Sequence, residues 1–288
     1  MQGRLRTALI AAVLAAASIL AAAASAQPQE AAATPIVVAV IDTGVDASQP
    51  ILAGRIVAGY DALGGDASTG DGGWHGTAIA SIVAGASGNG GGVTSYCDPC
   101  RVMPVKALAG SGEGLDADIA RGVGWAVDHG ARVLNLSLEG DSEDPVLRAA
   151  IRYAYTKGVV VVAAAGNQGT TSPTYPAADR FAIGVAATDS ADHLYPWSNR
   201  GRWVALAAPG VDLSGVPGGG TFAFAGTSAA AAVVSGTAGL CLTSAPTLTP
   251  ALVRRALVEA ASPIAGMRFG RVDPARTVEL CRHFAATR

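Results

Sequence analysis

The sequence predicts an α/β domain built on a mostly parallel central sheet with helices on both faces. Three observations point there. Apolar runs without polar alternation, as expected of strands buried on both faces, take turns with stretches of helical spacing. Half of the 288 residues are hydrophobic and only 15% are charged, which supplies a large core and excludes a disordered chain. The 37 glycines keep no triplet period, so they mark turns and close packing rather than a collagen helix. A net charge of −2 argues against general nucleic-acid binding.

The elements follow in order. Arg4 and Arg6 precede an uncharged Ala/Leu/Ile-rich run over residues 7–24, which ends in Ala24-Ser25-Ala26. A basic start, an apolar stretch and a small-x-small exit describe a secretory signal peptide over residues 1–26, with cleavage expected after Ala26. The run approaches membrane-spanning length, but its small-residue exit favours a cleaved peptide over a stable anchor. Residues 27–34 read as a short linker and 35–288 as one domain, with no internal repeat. Within it, residues 36–41, 102–108, 131–138, 159–165 and 181–186 read as buried strands. Residues 115–129 and 144–157 read as helices, the second with Pro145 at a tolerated early position and Gly158 as its stop. Thr249 is expected to cap a helix opened by Pro250. The glycine-rich stretches 64–73, 85–94 and 211–220 read as loops.

All four cysteines, Cys97, Cys100, Cys241 and Cys281, follow the expected signal, and an even count in an exported chain favours two disulfides. Three pairings are open. Cys97–Cys100 with Cys241–Cys281 is preferred, because the first is local and the second would pin the C-terminal tail. The Cys-x-x-Cys would otherwise serve redox chemistry or half a metal site. No thioredoxin-like βαβ pattern surrounds it and no second copy exists, so a structural bridge is the reading.

Three segments carry candidate chemistry. Asp42 ends the first strand in Val40-Ile41-Asp42-Thr43-Gly44, the end at which open α/β sheets build their sites. His75 lies in Trp74-His75-Gly76-Thr77, a glycine loop entering a helix of small residues. Ser228 lies in Gly226-Thr227-Ser228-Ala229, again a glycine-led entry to a helix. Alone, each is better explained as a turn, structural or capping residue. Together, an Asp, a His and a Ser on tight small-residue segments are the parts of a nucleophilic triad, with neighbours small enough to admit a substrate backbone.

In this order the set resembles a subtilisin-like serine peptidase, or subtilase. Ala164-Ala165-Gly166-Asn167 is similar to the family's oxyanion-hole segment. Asn135-Leu136-Ser137-Leu138, Tyr175-Pro176-Ala177, Ala208-Pro209-Gly210 and Gly270-Arg271-Val272-Asp273 extend the ordered match from about residue 36 to 275. The resemblance implies a three-layer subtilisin-like fold and an exported serine endopeptidase that hydrolyses peptide bonds. It implies Ser228 as nucleophile, His75 as general base and acid, and Asp42 as the group orienting His75. Asn167 and the Ser228 N–H would donate to the oxyanion. It further implies that Gly110-Ser111-Gly112 and Ser137-Leu138-Glu139-Gly140 flank an extended peptide or protein substrate as two edge strands, with Ala164, Ala165 and Gly166 lining the first specificity pocket. No cofactor is required for this chemistry. Structural calcium, common in the family, has no diagnostic ligand spacing here; Asp46, Asp66, Asp71 and Asn89 are the loop oxygens available, and no metal site is assigned.

The sequence also departs from the family's pattern. Ala229, Ala232 and Val233 stand where Met, Pro and His are usual after the serine, and Ala78 stands where a second His is common; altered helix packing, not altered chemistry, is expected. Glu139 replaces a usual glycine, which suggests negative charge beside the cleft and a preference for basic residues. The plainer reading is a solvent-facing Glu with a screened charge. Residues 27–34 are too short for a pro-domain core, so the enzyme is expected to fold unaided or with a separate folding assistant or inhibitor. A subtilase-fold binding or chaperone-like protein without turnover is the competing function. A dinucleotide-binding protein is a distant third, since residues 88–92 lack the strand–GxGxxG–helix setting.

Overall fold

The computed structural model describes residues 34–86, 92–265, 267–268 and 270–287. The expected signal peptide and most of the linker, the loop position Asn89 and nearly all of the 88–92 glycine run lie outside the described residues.

Seven strands form one parallel sheet in the order β2-β3-β1-β4-β5-β6-β7: β1 Val37–Asp42, β2 Tyr60–Asp61, β3 Arg101–Lys106, β4 Val133–Leu136, β5 Val160–Ala164, β6 Ala182–Thr188 and β7 Leu206–Pro209. Six helices accompany them: α1 His75–Ala84, α2 Asp116–Asp128, α3 Pro145–Thr156, α4 Thr227–Ser244, α5 Pro250–Ala260 and α6 Pro274–Ala286. The described residues from Pro35 onward pack as one unit.

Alternate strand residues feed two cores, because successive side chains leave a strand on opposite faces. Val38, Val40, Val160 and Val162 pack with α1, α4 and α5 on one face. Ala39, Ile41, Val161 and Ala163 pack with α2 and α3 on the other. This makes the three layers expected, and it explains why the strands read as continuous apolar runs.

Helix ends follow the local chemistry in part. Asp144 caps α3 by accepting from the N–H groups of Val146 and Leu147 at 2.8 and 2.9 Å, with Pro145 in the first turn. Gly158 follows α3 with φ +82°, a left-handed conformation that terminates the helix. Thr249 occupies the N-cap of α5 but makes no side-chain capping bond, so Pro250 is the feature that opens that helix.

The stretch expected to be a loop over residues 211–220 is different. Val211–Gly215 (β8) and Thr221–Ala225 (β9) form an antiparallel hairpin. Gly218, Gly219 and Gly220 supply the positive-φ turn. Gln49 holds that turn through the Val216 and Gly220 carbonyls at 2.6 and 3.2 Å, and Ser81 of α1 accepts from Gly215 N–H at 2.9 Å. The hairpin is thereby seated over the start of α1, which carries His75.

Both disulfides join the core. Cys97–Cys100 packs against Gly239 of α4, and Cys241–Cys281 ties α4 to α6. Ala78, Ala229, Ala232 and Val233 are fully buried, so the unusual residues of α1 and α4 act in packing.

Candidate active site

The sheet order changes direction at β1. From there the chain goes out to the edge at β2, returns through β3 beside β1, and then crosses to β4 on β1's other side. The loops leaving β1 and β4 therefore part, and a crevice opens at their C-terminal ends. A cleft of about 520 Å³ lies there, lined by His75, Gly110, Ser111, Gly112, Ser137, Leu138, Glu139 and Gly140 among others.

Asp42 closes β1 and is fully buried. Both its oxygens face His75 Nδ1, at 2.8 and 2.9 Å, and its Oδ1 also accepts from Thr43 N–H at 2.8 Å. A carboxylate on Nδ1 fixes the tautomer in which that nitrogen carries the proton and the far nitrogen is a free base. His75 is the first residue of α1, with 23% of its side chain exposed. Burial works to lower its pKa, but the Asp42 charge and hydrogen bond, helped by the Asp71 charge, outweigh burial and hold it above the ordinary histidine value.

Gly76 allows this approach. A Cβ there would overlap the Gly44 carbonyl and press on Asp42 Cβ, so a larger residue would push α1 from the end of β1. A hydrogen-bonded frame completes the junction. Thr43 Oγ1 accepts from Gly76 N–H at 3.1 Å and donates to Asp71 at 2.7 Å. Asp71 also accepts from Gly73 N–H, Thr77 N–H and Thr77 Oγ1, at 3.0, 2.9 and 2.5 Å. Trp74, Phe222 and Phe224 stack edge to face beside the imidazole, and Phe224 meets it at 5.4 Å between ring centres.

Ser228 is the second residue of α4 and only 8% exposed. Its hydroxyl donates to the Ser137 carbonyl at 3.4 Å, and Ser137 Oγ donates back to the Ser228 carbonyl at 3.2 Å. Ser137 Oγ also accepts from Asn135 Nδ2 at 2.8 Å, and Asn135 Oδ1 accepts from Ser235 Oγ at 2.8 Å. A buried polar chain thus fixes α4 to the end of β4, with every member partnered.

Asn167 follows β5. Its Oδ1 accepts from the N–H and hydroxyl of Thr227 at 2.9 and 3.1 Å, and Thr227 Oγ1 accepts from Gly166 N–H at 3.0 Å. With the amide oxygen occupied, the amide nitrogen is the group left to donate, close to Gly226 and the start of α4.

The structure therefore gathers Asp42, His75, Ser137, Ser228 and Asn167 at one edge of the sheet. The expected substrate residues lie on segments of different local structure. Residues 110–112 are a turn, closed by Gly112 N–H on the Ala109 carbonyl at 2.9 Å, and residues 137–140 continue β4 irregularly to a bridge between Gly140 and Tyr175. Apart from the Gly140–Tyr175 bridge, neither segment is paired as a strand among the described residues. Ala164 and Ala165 direct their side chains into the core, at 3% and 0% exposure, which leaves their backbone as the part that a ligand could meet. Gly166 has a positive φ of +99°, and its bare α-carbon is covered by the Glu139 carboxylate.

The oxygens considered for calcium are engaged elsewhere. Asp46 accepts from Ser48 and Gly218 N–H, Asp66 from Ser68 N–H, and Asp71 as described. Among the described residues no group of three or more His, Cys, Asp or Glu side chains is gathered to hold a metal.

Several contributors were not read from the sequence as site residues: Asp71 as a junction anchor, Gln168 and Asn199 behind Glu139, and the aromatic pair on β9. Thr227 alone carried a signal, lying inside the Gly-Thr-Ser segment.

The Subtilase family model (Peptidase_S8) matches residues 33–278. The chain is 37% identical over 247 residues to thermitase of Thermoactinomyces vulgaris, covering 84% of this chain and 88% of that one. It is 39% identical over 241 residues to a thermophilic serine proteinase of Bacillus sp. (strain AK1), covering 82% of this chain but 60% of that protein. Among solved structures it is similar to a cold adapted subtilisin-like serine proteinase, with a TM-score of 0.76 at 32% identity over 83% of this chain and 86% of that one. With the family model spanning most of the sequence and thermitase 37% identical over most of both chains, the chain belongs to the subtilase family of serine peptidases.

Proposed function

We propose that the protein is an exported endopeptidase acting through an acyl-enzyme on Ser228. The observation that carries this is the buried Asp42 carboxylate on His75 Nδ1, in a cleft also lined by Ser137, whose carbonyl accepts from the Ser228 hydroxyl. In the reaction the Ser228 hydroxyl turns from the Ser137 carbonyl to His75 Nε2, gives up its proton there, and its oxygen bonds to the scissile carbonyl carbon. Asn167 Nδ2 and the Ser228 N–H donate to the oxygen that becomes negative. The tetrahedral centre then collapses, the C–N bond breaks, and the proton on His75 leaves with the amine. Water repeats the sequence to release the acid. Asp42 stays ionised and stabilises the imidazolium. The substrate is a peptide or protein in extended conformation along residues 110–112 and 137–140.

In this reading residues 1–26 are a signal peptide, 27–34 a linker and 35–288 the catalytic domain. Two disulfides support a destination outside the reducing cytosol. The N-terminus of the exported protein is expected at Gln27, and an exported protein retaining residue 1 would refute cleavage.

A fluorophosphonate probe tests the chemistry. Folded protein should be modified at Ser228 with parallel loss of peptide hydrolysis, and Ser228→Ala should take up no probe. Folded wild type that is never modified would instead establish a binding or chaperone-like protein on a subtilase fold.

A further inference from the structure

We infer that Glu139 makes this peptidase select lysine or arginine on the acyl side of the bond it cuts, an inference that rests on the serine-peptidase reading above. The argument is one of position and partners. If the substrate carbonyl carbon lies at Ser228 Oγ and its oxygen at Asn167 Nδ2, the side chain of that same residue leaves between the two segments flanking those atoms. One is Ser137-Leu138-Glu139-Gly140, whose Ser137 carbonyl takes the Ser228 hydrogen bond. The other is Ala164-Ala165-Gly166, which runs directly into Asn167. Glu139 Oε2 lies between them on the bare α-carbon of Gly166, where any Cβ would overlap it.

The carboxylate is held and not waving in solvent. Gln168 Nε2 donates to Glu139 Oε1 at 2.7 Å. Gln168 is itself oriented, because its Oε1 accepts from Asn199 Nδ2 at 2.9 Å and from Asn167 N–H at 3.1 Å. Asn199 is fully buried and donates also to the Ala165 carbonyl at 2.9 Å. Glu139 Oε2 has no hydrogen-bond partner among the described residues, which leaves it able to accept from a cationic side chain. The cleft adds Glu113 and Asp116 and contains no Lys or Arg, so nothing at the site competes for the carboxylate. A substrate Lys or Arg would complete a charge-assisted hydrogen bond, whereas an apolar side chain of similar length would press on an uncompensated carboxylate.

The test is a matched series of fluorogenic peptides differing only at that residue (Arg, Lys, Leu, Phe, Ala, Glu), cleaved by the full-length secreted enzyme. Wild type should prefer Arg and Lys over Leu by roughly 10- to 100-fold in kcat/KM, and Glu139→Gln should lose most of that ratio. Gln168→Ala, which keeps the charge but frees it to move, should lose part of it, and rising salt should compress the wild-type ratio. If Glu139→Gln does not fold, the wild-type series and Gln168→Ala decide. Wild type that takes the fluorophosphonate at Ser228 yet cleaves Leu as fast as Arg, or cleaves only after Ala, overturns this inference alone. Wild type that neither takes the probe nor cleaves any peptide overturns the peptidase reading and this inference with it.

Discussion

Asp71→Asn should loosen the junction between β1 and α1 and change the titration of His75 at the same time. One carboxylate oxygen of Asp71 serves Thr43 Oγ1 and Gly73 N–H, and the other serves Thr77 N–H and Thr77 Oγ1. An amide offers one acceptor and one donor. Whichever way it turns, one pair of protein donors meets an NH₂ group. A threonine hydroxyl can turn to accept from that NH₂ through its second lone pair, but its bond to a charged group is then lost, and the N–H of Gly73 or Thr77 has no such option. Hydrogen bonds to charged groups contribute ~1.5–3 kcal/mol each; taking the low end for a half-buried group, losing two costs about 3 kcal/mol. For a domain of this size that lowers Tm by roughly 6–12 °C. Melting should be followed in a Ser228→Ala background, so that self-digestion does not contribute. With Ser228 restored, the acid limb of kcat/KM should move to lower pH, because a negative charge that raises the His75 pKa has been removed. A melting point within about 2 °C of the parent, with an unmoved acid limb, would refute the role given to Asp71.

Asn167→Ala should lower kcat by about 10²–10³ while KM changes little, since the amide acts on the oxyanion and not on the bound peptide. In wild type, kcat/KM should rise with pH through an inflection above the ordinary histidine value, because His75 must be neutral to take the serine proton. Asp42→Asn should move that inflection down and cut turnover by about 10⁴. The same pair has the opposite sign for stability: its contribution is complete below the unfolded histidine pKa and fades as pH rises through the folded one. Comparing Ser228→Ala with Ser228→Ala/His75→Gln across that range should show the melting gap closing. Replacing Cys241 and Cys281 by Ser opens a 40-residue loop and should cost about 4 kcal/mol on the chain-entropy estimate, against about 1.5 kcal/mol for the three-residue Cys97–Cys100 loop, as read by denaturant unfolding.

How far the sequence could be read depended on whether a feature is local. Residues 36–41 are apolar without alternation, a pattern with few explanations besides a strand covered on both sides, and β1 lies there. Asp42, His75 and Ser228 were legible because each carries small neighbours and each ends or begins an element. Residues 211–220 misled, since their glycines form only the turn of a hairpin whose strands are short and carry the aromatics beside His75. Asp71 looked like any loop acid, because its partners at Thr43 and Thr77 become neighbours only once α1 docks. Glu139 showed as an oddity in a glycine's place, but its seat on Gly166 depends on β4 and β5 lying side by side. The resemblance puts Ala164 and Ala165 at the specificity pocket, but that their methyl groups pack in the core depends on which face of the sheet each takes and was not legible from it.

The two borders of the sheet have a colloidal consequence. An exposed strand margin is a template on which a second copy can add by backbone pairing. Here one margin is β2, only two residues long, and the other is β7, four residues long and bridged beyond by Arg271, whose N–H pairs with Ser262. Little unpaired ladder remains for another molecule to extend. The apolar central sheet is thereby shielded from joining margin to margin as concentration rises, a protection independent of charge and of the catalytic machinery.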